Sequence, residues 1–196
     1  MAKLYFKYGA MGSSKTAQAL IAKFNYEERN MKVWLIKPST DVRDGSSVIR
    51  SRIGIKDTAD NILPDTSLLE RFLMFDHNSI DVIIADECQF FEKKQIEELR
   101  TIVDDYSVPV LCFGLRTDFL THMFPGSHRL FELADSITEI KTICDCGQKA
   151  SVNARIDDGG KIITSGDQVC LGGNDRYIAM CHKCWRKRIR LQDTPE

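Results

Sequence analysis

"GAMGSSKT", residues 9–16, decides how this chain is read. A phosphate-binding loop has the form G-x-x-x-x-G-K-[ST]. Gly9, Lys15 and Thr16 keep that spacing, and Ser14 stands where the second glycine belongs. Before it lies "KLYFKY" (3–8), short and aromatic-rich like a strand. After it, Ala17, Leu20, Ile21 and Phe24 recur at helical spacing. In a strand–turn–helix setting, backbone N–H groups and the helix dipole receive phosphate oxygens. On that reading Gly9, Ala10, Met11, Gly12, Ser13, Ser14, Lys15 and Thr16 form the cradle. Lys15 reaches the β- and γ-phosphates and Thr16 helps hold Mg²⁺. The competing reading is a turn of small residues beside a surface lysine.

Further along, apolar runs alternate with helical patterns up to about Lys141. "KVWLIK" (32–37), "DVIIADE" (81–87) and "VPVLCFGL" (108–115) read as strands, with Pro109 at the start of the last, and "ITEIK" (137–141) as a short final one. "SLLERFLMF" (67–75) and the Ile96, Leu99, Val103 face read as helices. Apolar strands alternating with helices predict an α/β fold, a mostly parallel sheet covered on both faces. Beyond Lys141 cysteines, glycines and short polar runs take over, as in a small metal-stabilised subdomain. The division expected is 1–141, 142–191 and a flexible tail over 192–196.

"VIIADECQFF" places Asp86 and Glu87 at the end of an apolar strand. In an open α/β sheet ligands gather at the carboxyl ends of the strands. Asp86 is placed for Mg²⁺, and Glu87 for accepting a proton from an attacking hydroxyl. An ordinary acidic turn is the alternative, and it loses ground beside a phosphate-loop candidate.

The chain has 196 residues, 43% of them hydrophobic, enough for one sizeable domain with a small appendage. A net charge of -1 gives no general attraction to nucleic acid or membrane. No apolar run approaches the roughly 20 residues that cross a bilayer, and "MAKLYFKYG" lacks the layout of a secretion signal. A cytoplasmic location is expected. Of seven cysteines, four fall late in two close pairs, a pattern that in a reducing compartment suggests metal rather than disulfides.

The segments "GAMGSSKT", "DECQFF", "GLRTDF", "KTICDCGQKAS", "GGNDRY" and "CHKC" together resemble the type II thymidine kinase family, over Lys3 to about Trp185. The resemblance implies a RecA-like P-loop domain and a small zinc-binding lasso domain that closes over the nucleoside. It implies transfer of the ATP γ-phosphate to the 5′-hydroxyl of thymidine, giving dTMP and ADP. Glu87 is then the general base, Lys15 steadies phosphate charge, Thr16 and Asp86 serve Mg²⁺, and Arg43 with Asp41 touches phosphates or the Mg²⁺ network. For Arg43 a solvated surface arginine is the alternative.

Met11, Phe90, Leu115 and Phe119 match positions that wall the base in that family; for each taken alone, core packing is the stronger reading. Leu171, Gly172, Gly173 and Tyr177 match the closing loop, and Asn153 and Arg155 align near the base. The four thiolates of Cys144, Cys146, Cys181 and Cys184 suit tetrahedral Zn²⁺ in a structural role, although the first pair is one residue tighter than the family pattern. Cys88 and Cys112 read as packing and Cys170 as a free thiol. A homotetramer and feedback inhibition by dTTP are implied by resemblance, with no nucleic-acid or membrane partner. Two other readings stay open. One is a nucleic-acid-dependent ATPase with a zinc ribbon, fed by the basic "WRKRIR" (185–190). The other is a kinase for another deoxynucleoside.

Overall fold

The computed structural model describes residues 1–40, 45, 47–76, 79–168 and 176–192. In chain order the elements are β1 (Leu4–Tyr8), α1 (Lys15–Glu27), β2 (Val33–Pro38), β3 (Val48–Arg50), β4 (Lys56–Thr58), β5 (Asp60–Ile62), α2 (Leu68–Leu73) and β6 (Val82–Ala85). After a 3₁₀ turn at Cys88–Phe90 follow α3 (Lys93–Tyr106), β7 (Val110–Gly114), α4 (Pro125–Leu133), β8 (Ser136–Glu139), β9 (Val152–Arg155), β10 (Tyr177–Met180) and α5 (His182–Gln192).

Six strands form one sheet in the order β5-β2-β6-β7-β1-β8. Every pairing in it is parallel. The central strands β6 (VIIA) and β7 (VLCFG) are buried throughout, as expected where helices cover both faces. On one face Leu4, Phe6, Ile36, Ile83 and Val110 pack against Leu68 and Phe72 of α2, Ile96, Leu99, Ile102 and Val103 of α3 and Leu130 of α4. On the other, Leu35, Val82, Ile84, Leu111 and Phe113 meet α1, with Ile49 of β3 and Ala59 beside it. The α/β expectation holds, with β7 lying between the strand that ends in the phosphate loop and the strand that ends in Asp86.

Several elements escape the periodicity reading. The β3–β4 hairpin and the edge strand β5 are three residues long each, too short to show a period. Helix α4, which the sequence reading did not include, begins Pro125-Gly126, and Pro at the first helical turn is favourable. Helix α1 exists where expected, and half of its expected apolar face is buried. The residues facing the sheet are Ala19 and Leu20, with Ala22 and Tyr26 partly buried against the same cluster. Ala17 and Leu20 are buried, yet Ile21 and Phe24 are 47% and 58% exposed. A sequence with apolar residues on both sides of a helix does not say which side wins.

Caps fix the helices on the α2–α3 face. Glu92 and Gln95 form a reciprocal capping box at the start of α3. One turn on, the Glu98 carboxylate accepts from Leu68 N–H at 2.6 Å and from Ser67 Oγ at 3.0 Å, closing the N-terminus of α2. The C-terminal part has its own small cluster: Cys144, Ala150, Ala154, Ile162, Met180 and Cys181, with Trp185 and Ile189 against it. Strands β9 and β10 pair antiparallel there. Gln192, expected in the tail, closes α5 and bonds both Ile162 N–H (2.7 Å) and Ile162 C=O (3.1 Å).

Candidate active site

The phosphate-loop candidate leaves the carboxyl end of β1 and enters α1 directly. Gly9 is required by close approach: a Cβ there would lie 2.3 Å from Ile140 O and 2.5 Å from Ser13 Oγ. Gly12 has φ +75°. Ser14 caps α1 at φ 63°, ψ 23°, the left-handed region, which explains why glycine is usual at this position. The Lys15 ammonium, largely buried, donates to Gly9 C=O (3.0 Å), Ala10 C=O (2.9 Å) and Ser13 Oγ (3.4 Å), drawn across the loop.

Asp86 stands at the end of β6, 3% exposed. Thr16 Oγ and the Glu87 N–H donate to its carboxylate. Burial first, then the neighbouring Glu87 charge, pushes its pKa up to about 7, against the opposing pull of Thr16, the Glu87 N–H and Lys15. A buried carboxylate so placed, with a threonine hydroxyl beside it, is a donor set suited to a hard divalent cation such as Mg²⁺.

Glu87 itself is left-handed, φ 49°, ψ 34°, and opens the 3₁₀ turn. Two glycines hold that turn. A Cβ on Gly114, the last residue of β7, would sit 2.6 Å from Cys88 Sγ; one on Gly126 of α4 would sit 2.6 Å from the Cys88 and Phe91 carbonyls. Cys88 and Cys112 are fully buried packing residues, as expected.

A cleft of about 270 Å³ joins these parts. The phosphate loop, Asp86, Glu87 and Leu115 line it, together with Ile49–Ile53 of the β3–β4 hairpin. Arg52 at the hairpin tip lies 3.7 Å, by Nη1, from where a Cβ on Gly12 would be. Among the described residues it has no ion-pair partner. Sequence reading missed this hairpin; the "SRIG" stretch gives no strand signal.

The base-wall candidates are split. Met11 and Leu115 line the cleft. Phe90 packs edge-on against Phe124, ring centroids 5.5 Å apart. Phe119 is buried, with the Arg155 guanidinium 3.8 Å over its ring. Tyr177 lies opposite Arg155 in the β9–β10 ladder. Asn153 is 3% exposed; its Oδ1 accepts from Met11 N–H at 2.7 Å and its Nδ2 donates to Thr117 C=O at 3.1 Å. It thus braces the phosphate loop from the C-terminal part. Asp41, Arg43, Cys170, Leu171, Gly172 and Gly173 lie outside the described residues.

The sulfurs of Cys144, Cys146, Cys181 and Cys184 all lie within 4.8 Å of one another, with Cys146 and Cys181 at 3.6 Å. A tetrahedral site with Zn–S of about 2.3 Å has sulfur edges of about 3.8 Å. The C-x-C spacing therefore still brings four thiols to one point. N–H groups of Cys146 and Cys181 lower the Cys144 thiol to about 7, while contact with the Cys146 and Cys181 sulfurs raises Cys184 to about 12. A divalent cation would relieve that crowding by taking all four as thiolates.

A family model described as thymidine kinase matches residues 2–185. The thymidine kinase of Yersinia pseudotuberculosis serotype I (strain IP32953) is 42% identical over 192 residues, 97% of each chain. That of Zymomonas mobilis subsp. mobilis (strain ATCC 31821 / ZM4 / CP4) is 44% identical over 191 residues, 96% of this chain and 98% of its own. Among solved structures, the Pif1 helicase from Candida albicans is 14% identical with a TM-score of 0.42, covering 72% of this chain and 36% of that one, a likeness too slight to carry an argument. With the match running from the first strand through the second cysteine pair, and nearly the full length of each relative covered, the chain belongs to the thymidine kinase family.

Proposed function

We propose that the protein transfers the γ-phosphoryl group of ATP to the 5′-hydroxyl of thymidine, giving dTMP and ADP. The observation that carries this is one cleft in which Lys15, Thr16, Asp86 and Glu87 meet, built from the ends of two strands. Phosphoryl transfer asks the protein mainly to position the groups and to stabilise charge.

Backbone N–H groups of residues 9–16 hold the phosphates, and Lys15 turns from its loop carbonyls to the β/γ oxygens. Thr16 and Asp86 would hold Mg²⁺, which would supply positive charge against that of the phosphates. Glu87 takes the proton of the 5′-hydroxyl. Arg52 adds a cation above the loop, and Arg43 with Asp41 joins the phosphate side. Met11 and Leu115 face the base, with Phe90, Phe119, Asn153, Arg155 and Tyr177 around them and Leu171, Gly172 and Gly173 closing over it. Residues 142–191 form the unit that Zn²⁺ holds in shape through its four cysteines. The outward Ile21 and Phe24 of α1 support a homotetramer in which a second copy covers them. Inhibition by dTTP and a cytoplasmic location complete the reading.

A panel of thymidine, deoxyuridine, deoxycytidine and polynucleotide, each with ATP and Mg²⁺, tests it. Thymidine is expected to be phosphorylated fastest. ATP hydrolysis stimulated by polynucleotide with no consumption of thymidine would overturn it.

A further inference from the structure

Between the base and the nucleoside wall lies a side chain that the chemistry above does not use. Gln89 is 1% exposed, in the middle of the 3₁₀ turn. Its Nε2 donates to Glu87 Oε2 at 2.6 Å, and its Oε1 accepts from the Leu115 N–H at 2.9 Å. A backbone N–H can only donate, so Leu115 fixes which end of the carboxamide is oxygen and turns the NH₂ toward Glu87. Leu115 is in turn held by its carbonyl, which accepts from Ser127 Oγ at 2.5 Å; Ser127 is fully buried on α4. Gly114, immediately before, leaves room: a Cβ there would stand 2.7 Å from Gln89 Oε1.

We propose that Gln89 is the positioning residue of this site: its carboxamide holds one oxygen of the Glu87 carboxylate and ties the base to Leu115, the wall of the nucleoside cleft. The proposal rests on Glu87 being the base. The Glu87 backbone is left-handed and opens the turn, and the Gln89 amide is one contact that fixes the direction of its side chain there. A carboxylate held by a donor on Oε2 keeps its plane, so that Oε1 meets the 5′-hydroxyl in a fixed direction. Because the same amide is anchored on Leu115, the base and the pocket wall keep their relative places when substrate enters. Misplacing a reacting group by about 1 Å costs on the order of 10²-fold in rate.

The test is a double-mutant cycle between Gln89→Met, similar in length but with neither donor nor a carbonyl acceptor, and Glu87→Gln. Steady-state constants for thymidine and ATP and the thermal midpoint are measured for each. Gln89→Met is expected to lower kcat on the order of 10²-fold, with KM for thymidine and ATP within about threefold, the pattern of an interaction realised in the transition state. In the Glu87→Gln background the same change should cost less than about threefold, because residues acting as a unit are not additive. Should Gln89→Met fold poorly, Gln89→Asn, which keeps the amide but withdraws it by one methylene, carries the same expectation. Near-normal kcat for Gln89→Met, or an equal loss in both backgrounds, overturns the proposal. Glu87→Gln turning over normally would instead overturn the assignment of the base, so the two failures are separable.

Discussion

The α/β body and the cysteine-bearing C-terminal part are held together by different means. The body buries two large apolar clusters on the two faces of a parallel sheet. Among the described residues, the C-terminal part has six buried residues in its cluster, two of them cysteines of the quartet. Its two strands and one helix cover little, and α5 has no buried residue at all. Small units of this kind depend on a metal or a cross-link because their apolar burial is too small to offset chain entropy. The body carries the cleft, while the C-terminal part reaches the body through Asn153 on Met11 and through Lys149, paired with Glu139 at 2.6 Å.

The largest expected effect breaks that contrast directly. Structural zinc contributes roughly 10–16 kcal/mol to small zinc modules. Protein purified without chelator should carry about one zinc per chain, given four thiolates at one point. Chelation, or Cys181→Ser, should strip hydrogen-exchange protection from residues 152–155 and 177–180 while β6 and β7 keep theirs. Loss of protection in both parts together would mean that they form one cooperative unit.

Next in size is a change confined to the body's chemistry. Glu87→Gln should lower turnover by roughly 10²–10⁴. The amide occupies the same space, so the thermal midpoint should stay within a few degrees and ATP binding should be nearly intact. Turnover close to normal would remove Glu87 from the mechanism.

A smaller effect is expected at the joint. Asn153→Ala leaves the Met11 N–H and the Thr117 carbonyl without their present partner. An unsatisfied buried polar group costs about 1–3 kcal/mol, or about 2–4 °C per kcal/mol for a chain of this size. Because Met11 belongs to the phosphate loop, KM for ATP should rise along with KM for thymidine. A rise in thymidine KM alone would mean that Asn153 reads the base rather than bracing the loop.

Much of this was legible because the chemistry sits in contiguous stretches. "GAMGSSKT" and "DECQFF" each end a strand, so motif and setting could be read together, and the four cysteines announce themselves by spacing. What escaped depends on contacts between distant segments. Nothing local says that Gln89 meets Leu115, or that Asn153 reaches back to Met11. Nothing in the sequence reading marked α4, where the lack of a Cβ at Gly126 is what lets the helix pack on the carbonyls of the 3₁₀ turn. That Ile21 and Phe24 of α1 stay exposed while Leu20 is buried was undecidable from a helix with apolar residues on two sides.

The smallest expected effect concerns Ser14, the residue that makes the phosphate loop irregular. Its φ of 63° is one that a non-glycine residue adopts at a cost of roughly 1–2 kcal/mol. Glycine would remove that strain. It would also enlarge the unfolded ensemble, an opposing effect of about 0.4–1 kcal/mol. The Ser14 side chain is exposed and makes no capping bond, so its loss removes no contact of that kind. The relief of strain exceeds the unfolded-state term by about 0–1.6 kcal/mol, so Ser14→Gly should raise the thermal midpoint by about 0–6 °C. The loop's N–H donors are unchanged in number, so kcat should hold and KM for ATP should be equal or slightly lower. Ser14→Val provides the opposite sign, since a β-branched side chain is a genuine outlier at positive φ. Its midpoint should fall and its KM for ATP should rise. Should wild type prove inactive and Ser14→Gly restore turnover, the loop as it stands is degenerate. A clear loss of stability in Ser14→Gly would mean that the serine side chain holds a contact that the structure does not show.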